Sequence, residues 1–197
     1  MSVEDAVERL TDSKDDHNRW VGVYIGLLAV MLAIGNVGGA NAAKDANRAN
    51  IEASNTWAFF QAKNIRRTAI SMAAEELELQ LKAQPAMPPD ARQAFEAKIK
   101  DYRATAQRLT TDAEKKEGLD ELFVKGKALE AERDVALRKD PYFDWSQALL
   151  QIAIVLASVH LIVGNTTILG LSGGLAALGL VLMLNGFTLA FTLPFLG

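Results

Sequence analysis

WVGVYIGLLAVMLAIGNVGG, residues 20–39, decides the fold class, because this uninterrupted apolar run has the length that crosses a bilayer. At a helical rise of about 1.5 Å per residue, about 20 residues cover a hydrocarbon core of about 30 Å. A secretory signal peptide would need a basic start and a shorter apolar core. The preceding residues are acidic instead. We therefore predict a polar N-terminal tail over residues 1–19 and a transmembrane helix over residues 20–39.

Charge is distributed very unevenly along the rest of the chain. Of the 197 residues, 50% are hydrophobic and 23% are charged, the average of a soluble domain. Residues 145–197 nevertheless contain no charged side chain, and GNTT at 164–167 supplies a turn near their middle. We predict two more transmembrane helices there, over residues 145–163 and 168–193. Five aromatic residues near the span ends are expected to form an interfacial belt: Trp20, Tyr24, Tyr142, Phe143 and Trp145.

The polar middle of the chain, residues 40–144, has the pattern of a long helical hairpin. Its strongest helix breakers lie in QPAMPPD, residues 84–90, which predict a tip loop between two arms. Arms over residues 40–83 and 90–139 would be about 66 and about 75 Å long. Asp140-Pro141 is expected to end the second arm, and Asp144 with Gln147 has the spacing of a capping box that starts a new helix.

Apolar residues in both arms recur at alternating steps of four and three, which is typical of a coiled-coil seam. The downstream seam is Phe95, Ile99, Tyr102, Ala106, Leu109 and Ala113. The upstream seam is Ala58, Ala62, Ile65, Ala69, Met72 and, after a skipped position at Glu76, Leu79. The predicted fold is thus all-α: three transmembrane helices, with an antiparallel coiled-coil hairpin between the first and the second.

Three large aromatics, Trp57, Phe59 and Phe60, stand in SNTWAFFQAKNIRR at residues 54–67. A straight helix places Trp57 about 27 Å beyond the first span, too far for an interfacial belt. Trp57 and Phe60 share a helix face, whereas Phe59 points elsewhere. We predict protein contacts for all three, either within the hairpin or with a neighbouring subunit.

No motif of an enzyme is found in the sequence. The chain has no cysteine, and its two histidines, His17 and His160, lie in different segments. The glycines of GLSGG at 170–174 lack the Lys-Ser/Thr of a phosphate loop. Glu130 and Asp134 are expected on a solvated helix face, and the net charge of −3 argues against nucleic-acid binding. We predict no catalytic residue, no cofactor, no metal site and no nucleic-acid partner.

Glycine pairs and polar residues in the spans leave two functional classes open. Each pair places two glycines on one helix face, which favours close helix packing or oligomer contacts: Gly22 and Gly26, Gly35 and Gly39, Gly170 and Gly174. Polar groups in an oligomer would line a path: Gln147, Gln151, Ser158, His160 and Asn185. The sequence favours a non-enzymatic, homo-oligomeric membrane scaffold that presents its arm to a protein partner. The alternative is a subunit of an oligomeric channel or transport complex.

Three segments carry a resemblance to a known family. SNTWAFFQAKNIRR, then ALEAERDVALRKDPYFDWSQALLQIAIVLASVHLI, then LNGF in the last span resemble the bacterial membrane family catalogued as domain of unknown function 4337. The resemblance covers most of the chain from Trp20 onward. It implies a three-span bacterial protein with a helical extramembrane arm, and it implies no activity.

The side of the membrane follows from basic residues near the span ends. Lys44, Arg48, Arg133, Arg138 and Lys139 lie on the arm side, against Arg9, Lys14 and Arg19 on the other. Because Lys and Arg are enriched on the cytoplasmic side, we expect a multi-pass protein of the bacterial inner membrane with a cytoplasmic arm.

Overall fold

Four helices make up the part of the chain that the structure describes. The computed structural model describes the backbone of residues 3–194 and the side chains of residues 16–194. The helices are α1 (Val3–Ala83), α2 (Pro89–Thr110), α3 (Leu119–Val163) and α4 (Thr166–Thr188), and the described backbone contains no strand. Stretches of α1, α3 and α4 are long and apolar enough to cross a membrane, judged by length and composition. The all-helical fold with three apolar stretches of this length is confirmed.

The helices form two compact units. One, the apolar unit, comprises Met1–Ala46 and Asp134–Gly197, and the other, the polar unit, comprises Asn47–Arg133. Both α1 and α3 contribute to each unit. Arg9 and Lys14, which entered the orientation argument, lie outside the residues whose side chains are described.

The core of the apolar unit is built around Phe143, which is 1% exposed. A Cβ atom added at Gly38 would lie 2.5 Å from the Phe143 ring, and one added at Gly186 would lie 3.0 Å from it. The Phe187 ring meets Phe143 edge to face, with centroids 4.8 Å apart. The two glycines therefore create the space that this ring fills.

A second buried cluster of the apolar unit combines leucine with alanine. Leu28, Leu150, Ala153 and Ala176 form a buried cluster. The Ser172 hydroxyl lies 3.2 Å from the Tyr24 hydroxyl and donates to the Ala153 carbonyl oxygen at 2.7 Å. Because an apolar helix interior offers no water, these bonds satisfy the buried hydroxyl of Ser172 within the protein.

The expected helix break at Asp140-Pro141 is wrong, because α3 continues through Pro141. A proline in a helix interior removes one backbone hydrogen bond and normally disfavours the helix. The next two residues, Tyr142 and Phe143, are each 1% exposed, so tight packing on this turn offsets the lost bond. The predicted capping box at Asp144 consequently lies inside the helix. Tyr142 and Phe143 are core residues and not a belt, whereas Trp20 and Trp145 are largely exposed.

The single downstream arm over residues 90–139 is also wrong, since residues 111–118 separate α2 from α3. The Asp112 carboxylate accepts from the Lys115 backbone N–H at 3.0 Å, and Lys116 adopts a left-handed conformation with φ of 54°. A Cβ atom at Gly118 would lie 2.6 Å from the backbone nitrogen of Asp112. Aspartate and glycine thus close a tight turn that the periodicity of the seam concealed.

The predicted upstream seam faces away from the rest of the polar unit. Ile65, Met72 and Leu79 are 71%, 64% and 65% exposed. The buried face of α1 here is instead formed by four small residues: Ala49, Ala53, Thr56 and Ala74. Most residues of the downstream seam are partly buried, and Ala106 is buried, but Ala113 is exposed and lies beyond the end of α2. Alanine periodicity alone did not identify which face of α1 packs inward.

Candidate functional site

Trp57 joins α1 to the beginning of α3 in the polar unit. Its indole N–H donates to Glu130 Oε1 at 2.9 Å. The indole ring lies against the backbone of Gly126, where an added Cβ atom would approach to 2.8 Å. Phe60 and Phe123 each meet the indole edge to face, with centroids 5.6 Å away. We call Trp57, Phe60, Phe123, Gly126 and Glu130 the Trp57 cluster.

The carboxylate of Glu130 accepts a hydrogen bond from Lys127 as well as from Trp57. Its second oxygen accepts from Lys127 Nζ at 2.8 Å, and Lys127 Nζ also lies 5.7 Å from the centroid of the Trp57 ring. The hydrogen bond from Lys127 holds the pKa of Glu130 below its ordinary value, and the Trp57 N–H acts in the same direction. Both carboxylate oxygens therefore have donors, an arrangement that orients the indole rather than prepares Glu130 for proton transfer.

Phe59 lies outside the cluster, as its different helix face predicted. It is 42% exposed, and Lys63 Nζ lies over its ring at 4.7 Å from the centroid. Lys63 also donates to the Glu117 carbonyl oxygen in the turn before α3. Phe60 thus has its contacts within the subunit, whereas Phe59 presents an accessible ring beside a lysine.

Asn185 holds the segment that directly follows α4 onto the apolar unit. Its side-chain amide donates to the Phe191 carbonyl oxygen at 2.8 Å, and its side-chain oxygen accepts from the Phe191 N–H at 3.0 Å. Tyr142 acts on the same segment, since its hydroxyl accepts from the Leu193 N–H at 2.9 Å. Asn185 is buried, and both its side-chain oxygen and its amide bind Phe191, while Tyr142 binds Leu193.

His160 has a comparable role at the other end of α4. Its Nδ1 donates to the Asn165 carbonyl oxygen at 2.8 Å, because a carbonyl oxygen only accepts. In the neutral ring Nε2 then accepts, and His17 Nε2 lies 3.0 Å away as its donor. The His160 side chain is 3% exposed, so the subunit itself buries this ring. No periodicity in the sequence indicated that its partner would be His17.

The remaining polar residues of the proposed path face different surroundings. Gln147 packs over two glycines of α1, with its amide nitrogen 3.1 Å from a Cβ atom added at Gly39. Gln151 and Ser158 are exposed on α3, and the Ser158 hydroxyl donates to the Ile154 carbonyl oxygen within its own helix. No hydrogen bond joins any two of the five path residues among the described side chains.

The glycine pairs divide into two kinds. Gly35 and Gly39 pack against Gln147, and both are buried. The other four are exposed, and an added Cβ atom would have no neighbour within 4 Å: Gly22, Gly26, Gly170 and Gly174. Contacts of these four with another subunit stay a prediction.

Acidic and histidine side chains do not converge on a metal site in the described part of the chain, where no group of three or more is placed to hold an ion. The family model described as Domain of unknown function (DUF4337) matches residues 17–189. Neither a curated protein nor a solved structure matches the chain significantly. The family match begins at His17 and ends one residue beyond α4, so it includes the Trp57 cluster and all four exposed glycines.

Proposed function

The chain belongs to the DUF4337 family, whose description assigns no function, and on that premise we propose that it is a non-enzymatic, homo-oligomeric membrane scaffold. Its apolar stretches cross the bacterial inner membrane, and its polar unit is presented on the cytoplasmic side to a protein partner. The polar unit is the part that carries the predicted arm. No cofactor and no catalytic residue take part in this function.

The exposed glycine pairs are the observation that carries the proposal. Within a bilayer, apolar surface gives no drive for helix association, so close backbone packing has to supply it. The helix backbone is exposed on the outside of the subunit at two glycine pairs, Gly22 and Gly26 on α1 and Gly170 and Gly174 on α4. A neighbouring helix can approach these surfaces more closely than it can approach leucine or valine.

The partners of two polar span residues, Asn185 and His160, favour a scaffold over a channel. A conducting path needs polar groups that are free to solvate the permeating species. Asn185 instead binds the segment that follows α4, and His160 binds His17 and the α3–α4 turn. These groups stabilise the subunit itself.

The experiment compares the double variant Gly170→Leu/Gly174→Leu with the unaltered protein in native membrane patches and in detergent. Each leucine keeps α4 apolar enough to insert but holds a neighbouring backbone away, so the particle mass should fall toward that of one subunit. Ala148→Leu/Val155→Leu, on the exposed face of α3, is the matched control and should keep its mass. An inserted glycine double variant of unchanged mass would show that these glycines are not an interface. An unaltered protein that is monomeric would overturn the scaffold proposal.

A further inference from the structure

The exposed face of α1 in the polar unit carries a strict seven-residue repeat. Ile51, Ala58, Ile65, Met72 and Leu79 are spaced by seven and are all exposed. Ala62 and Ala69, four residues after Ala58 and Ile65, are exposed beside them. We call these seven residues the outer seam. It is distinct from the buried face of α1, so α1 has two apolar faces, of which the subunit covers one.

The spacing of the outer seam identifies what covers it. A straight helix drifts by about 20° per seven residues, so a strict heptad repeat stays in contact only with another helix that supercoils around it. Four consecutive heptad steps separate Ile51 from Leu79, which meets the length typical of a coiled coil. The stripe covers about 42 Å of helix at the helical rise. A flat lipid surface or a globular partner does not supercoil around a helix, so neither accounts for a strict heptad repeat.

We propose that the outer seam pairs in parallel and in register with the outer seam of a second copy of this chain. The inference rests on the proposed function in one respect: copies inserted in one membrane with the same orientation have parallel α1 helices. In heptad terms, Ile51, Ala58, Ile65, Met72 and Leu79 then occupy the d positions. Asn55, Ala62, Ala69 and Glu76 occupy the a positions.

Asn55 supports a second copy as the occupant. A single asparagine at an a position selects register and number of strands in coiled coils, since its amide is satisfied best by the same residue of the partner. Asn55 is exposed at the first a position of the outer seam. Ala62 and Ala69 follow it, and alanines facing their own copies let the two backbones approach closely. The seam is thus complementary to itself.

The residues flanking the seam agree with parallel pairing. In a parallel pair, each g position faces the e position five residues further along the partner. Gln61 would face Arg66, and Glu75 would face Gln80. Thr68 would face Ala73 in the same way. No flanking pair in this set brings like charges together.

Glu76 is the one a position that opposes the pairing, because the two copies would bring their carboxylates together. Like charges facing each other in a seam are destabilising. Glu76 lies near the end of the seam, where its carboxylate accepts from Gln80 Nε2 at 3.4 Å. Association through the outer seam therefore should strengthen when Glu76 is replaced by leucine.

Cysteine cross-linking in intact membranes tests the proposal, and the chain has no cysteine of its own to interfere. Ala62→Cys and Ala69→Cys are compared with Ala97→Cys and Ala104→Cys, exposed alanines on α2. Isolated membranes are treated with a mild oxidant such as copper phenanthroline, which accepts the two electrons released by each pair of thiols. Since a disulfide needs Cβ atoms about 4 Å apart, the seam variants should give at least about tenfold more disulfide-linked dimer than the α2 variants. Glu76→Leu in the Ala62→Cys background should raise that yield further.

The same cysteine variants also test whether the partner is a second copy of the chain and whether the two outer seams pair in register. When Ala62→Cys and Ala69→Cys chains are co-expressed with different tags, in-register pairing predicts few mixed disulfides. If the seam variants cross-link no better than the α2 variants while particle mass shows an oligomer, the outer-seam inference is wrong and the scaffold proposal survives. If particle mass shows a monomer, both fail. Predominant mixed disulfides would overturn the in-register arrangement.

Discussion

Phe143 and Trp57 are both large aromatic residues packed against glycine, one in each unit, and the comparison shows how differently the two units are stabilised. Phe143 is 1% exposed and is surrounded by glycine, alanine, methionine and a second phenylalanine. Trp57 is only partly buried, and its indole N–H is bonded to Glu130. Close packing alone fixes Phe143, whereas packing and a charged hydrogen bond together fix Trp57.

The difference follows from the surroundings of each ring. In the apolar unit, the neighbouring side chains offer dispersion contacts, so stability depends on leaving no void around Phe143. In the polar unit, α1 has mainly small residues on its inward face, so a few aromatics must supply the contact area. Tryptophan suits that boundary, since its ring packs while its N–H reaches a partner near solvent.

The largest expected effect comes from Phe143→Ala. Removing a fully buried phenylalanine typically costs about 3 to 5 kcal/mol, and Gly38 and Gly186 have no side chains that could fill the void. Thermal unfolding in detergent, followed by circular dichroism, measures the loss. Phe187→Ala is the control, because Phe187 is 47% exposed and its removal leaves no enclosed cavity. Equal losses for the two variants would contradict the packing account of Phe143.

Trp57→Ala is expected to lower the free energy of unfolding by about 2 kcal/mol. This effect is smaller because the Trp57 ring is only partly buried, and removing it costs less than removing a fully buried ring. Helical signal should be lost at lower temperature, and hydrogen exchange should accelerate around Gly126. Phe59→Ala, which removes an exposed aromatic two residues away, should change stability much less. If both variants are as stable as the unaltered protein, Trp57 has a role other than joining α1 to α3.

The smallest effect concerns the charge on Glu130. Because the folded state lowers the pKa of Glu130, its ionised form contributes stability above the ordinary pKa of a glutamate, and this contribution disappears as the pH falls through the folded value. The unaltered protein should therefore melt higher than Glu130→Gln at neutral pH, and the difference should shrink in acid. Burial raises the pKa of Asp140, which acts with the opposite sign, but Asp140 is present in both proteins and cancels.

Trp57→Phe separates the two donors in that measurement. Phenylalanine retains an aromatic ring at this position but lacks the indole N–H, so the Lys127 bond alone remains to stabilise the Glu130 carboxylate. The acid-sensitive difference between Glu and Gln at position 130 should then be smaller. A difference independent of pH would show that Glu130 stabilises the cluster through packing and not through its charge.

Sequence alone determined the features that depend on composition over long windows. The charge-free runs predicted three apolar helical stretches, because crossing a bilayer takes about 20 consecutive apolar residues whatever packs around them. The resemblance carried by SNTWAFFQAKNIRR and the segments after it was likewise confirmed by the family match over residues 17–189. The face of Phe59 was also predictable, because helical spacing separates it from Trp57 and Phe60.

Tertiary structure decided what depends on neighbours that are distant in the chain. Pro141 breaks a helix by local rules, yet buried packing of Tyr142 and Phe143 keeps α3 continuous. Both faces of α1 between Ile51 and Leu79 have apolar periodicity, and only the position of α2 and α3 shows that the alanine-rich face beginning at Ala49 is covered while the outer seam is exposed. His160 contacts His17, which lies 143 residues away in the sequence. Spacing along one helix specifies a face, but the partner of that face depends on packing energy shared among several helices.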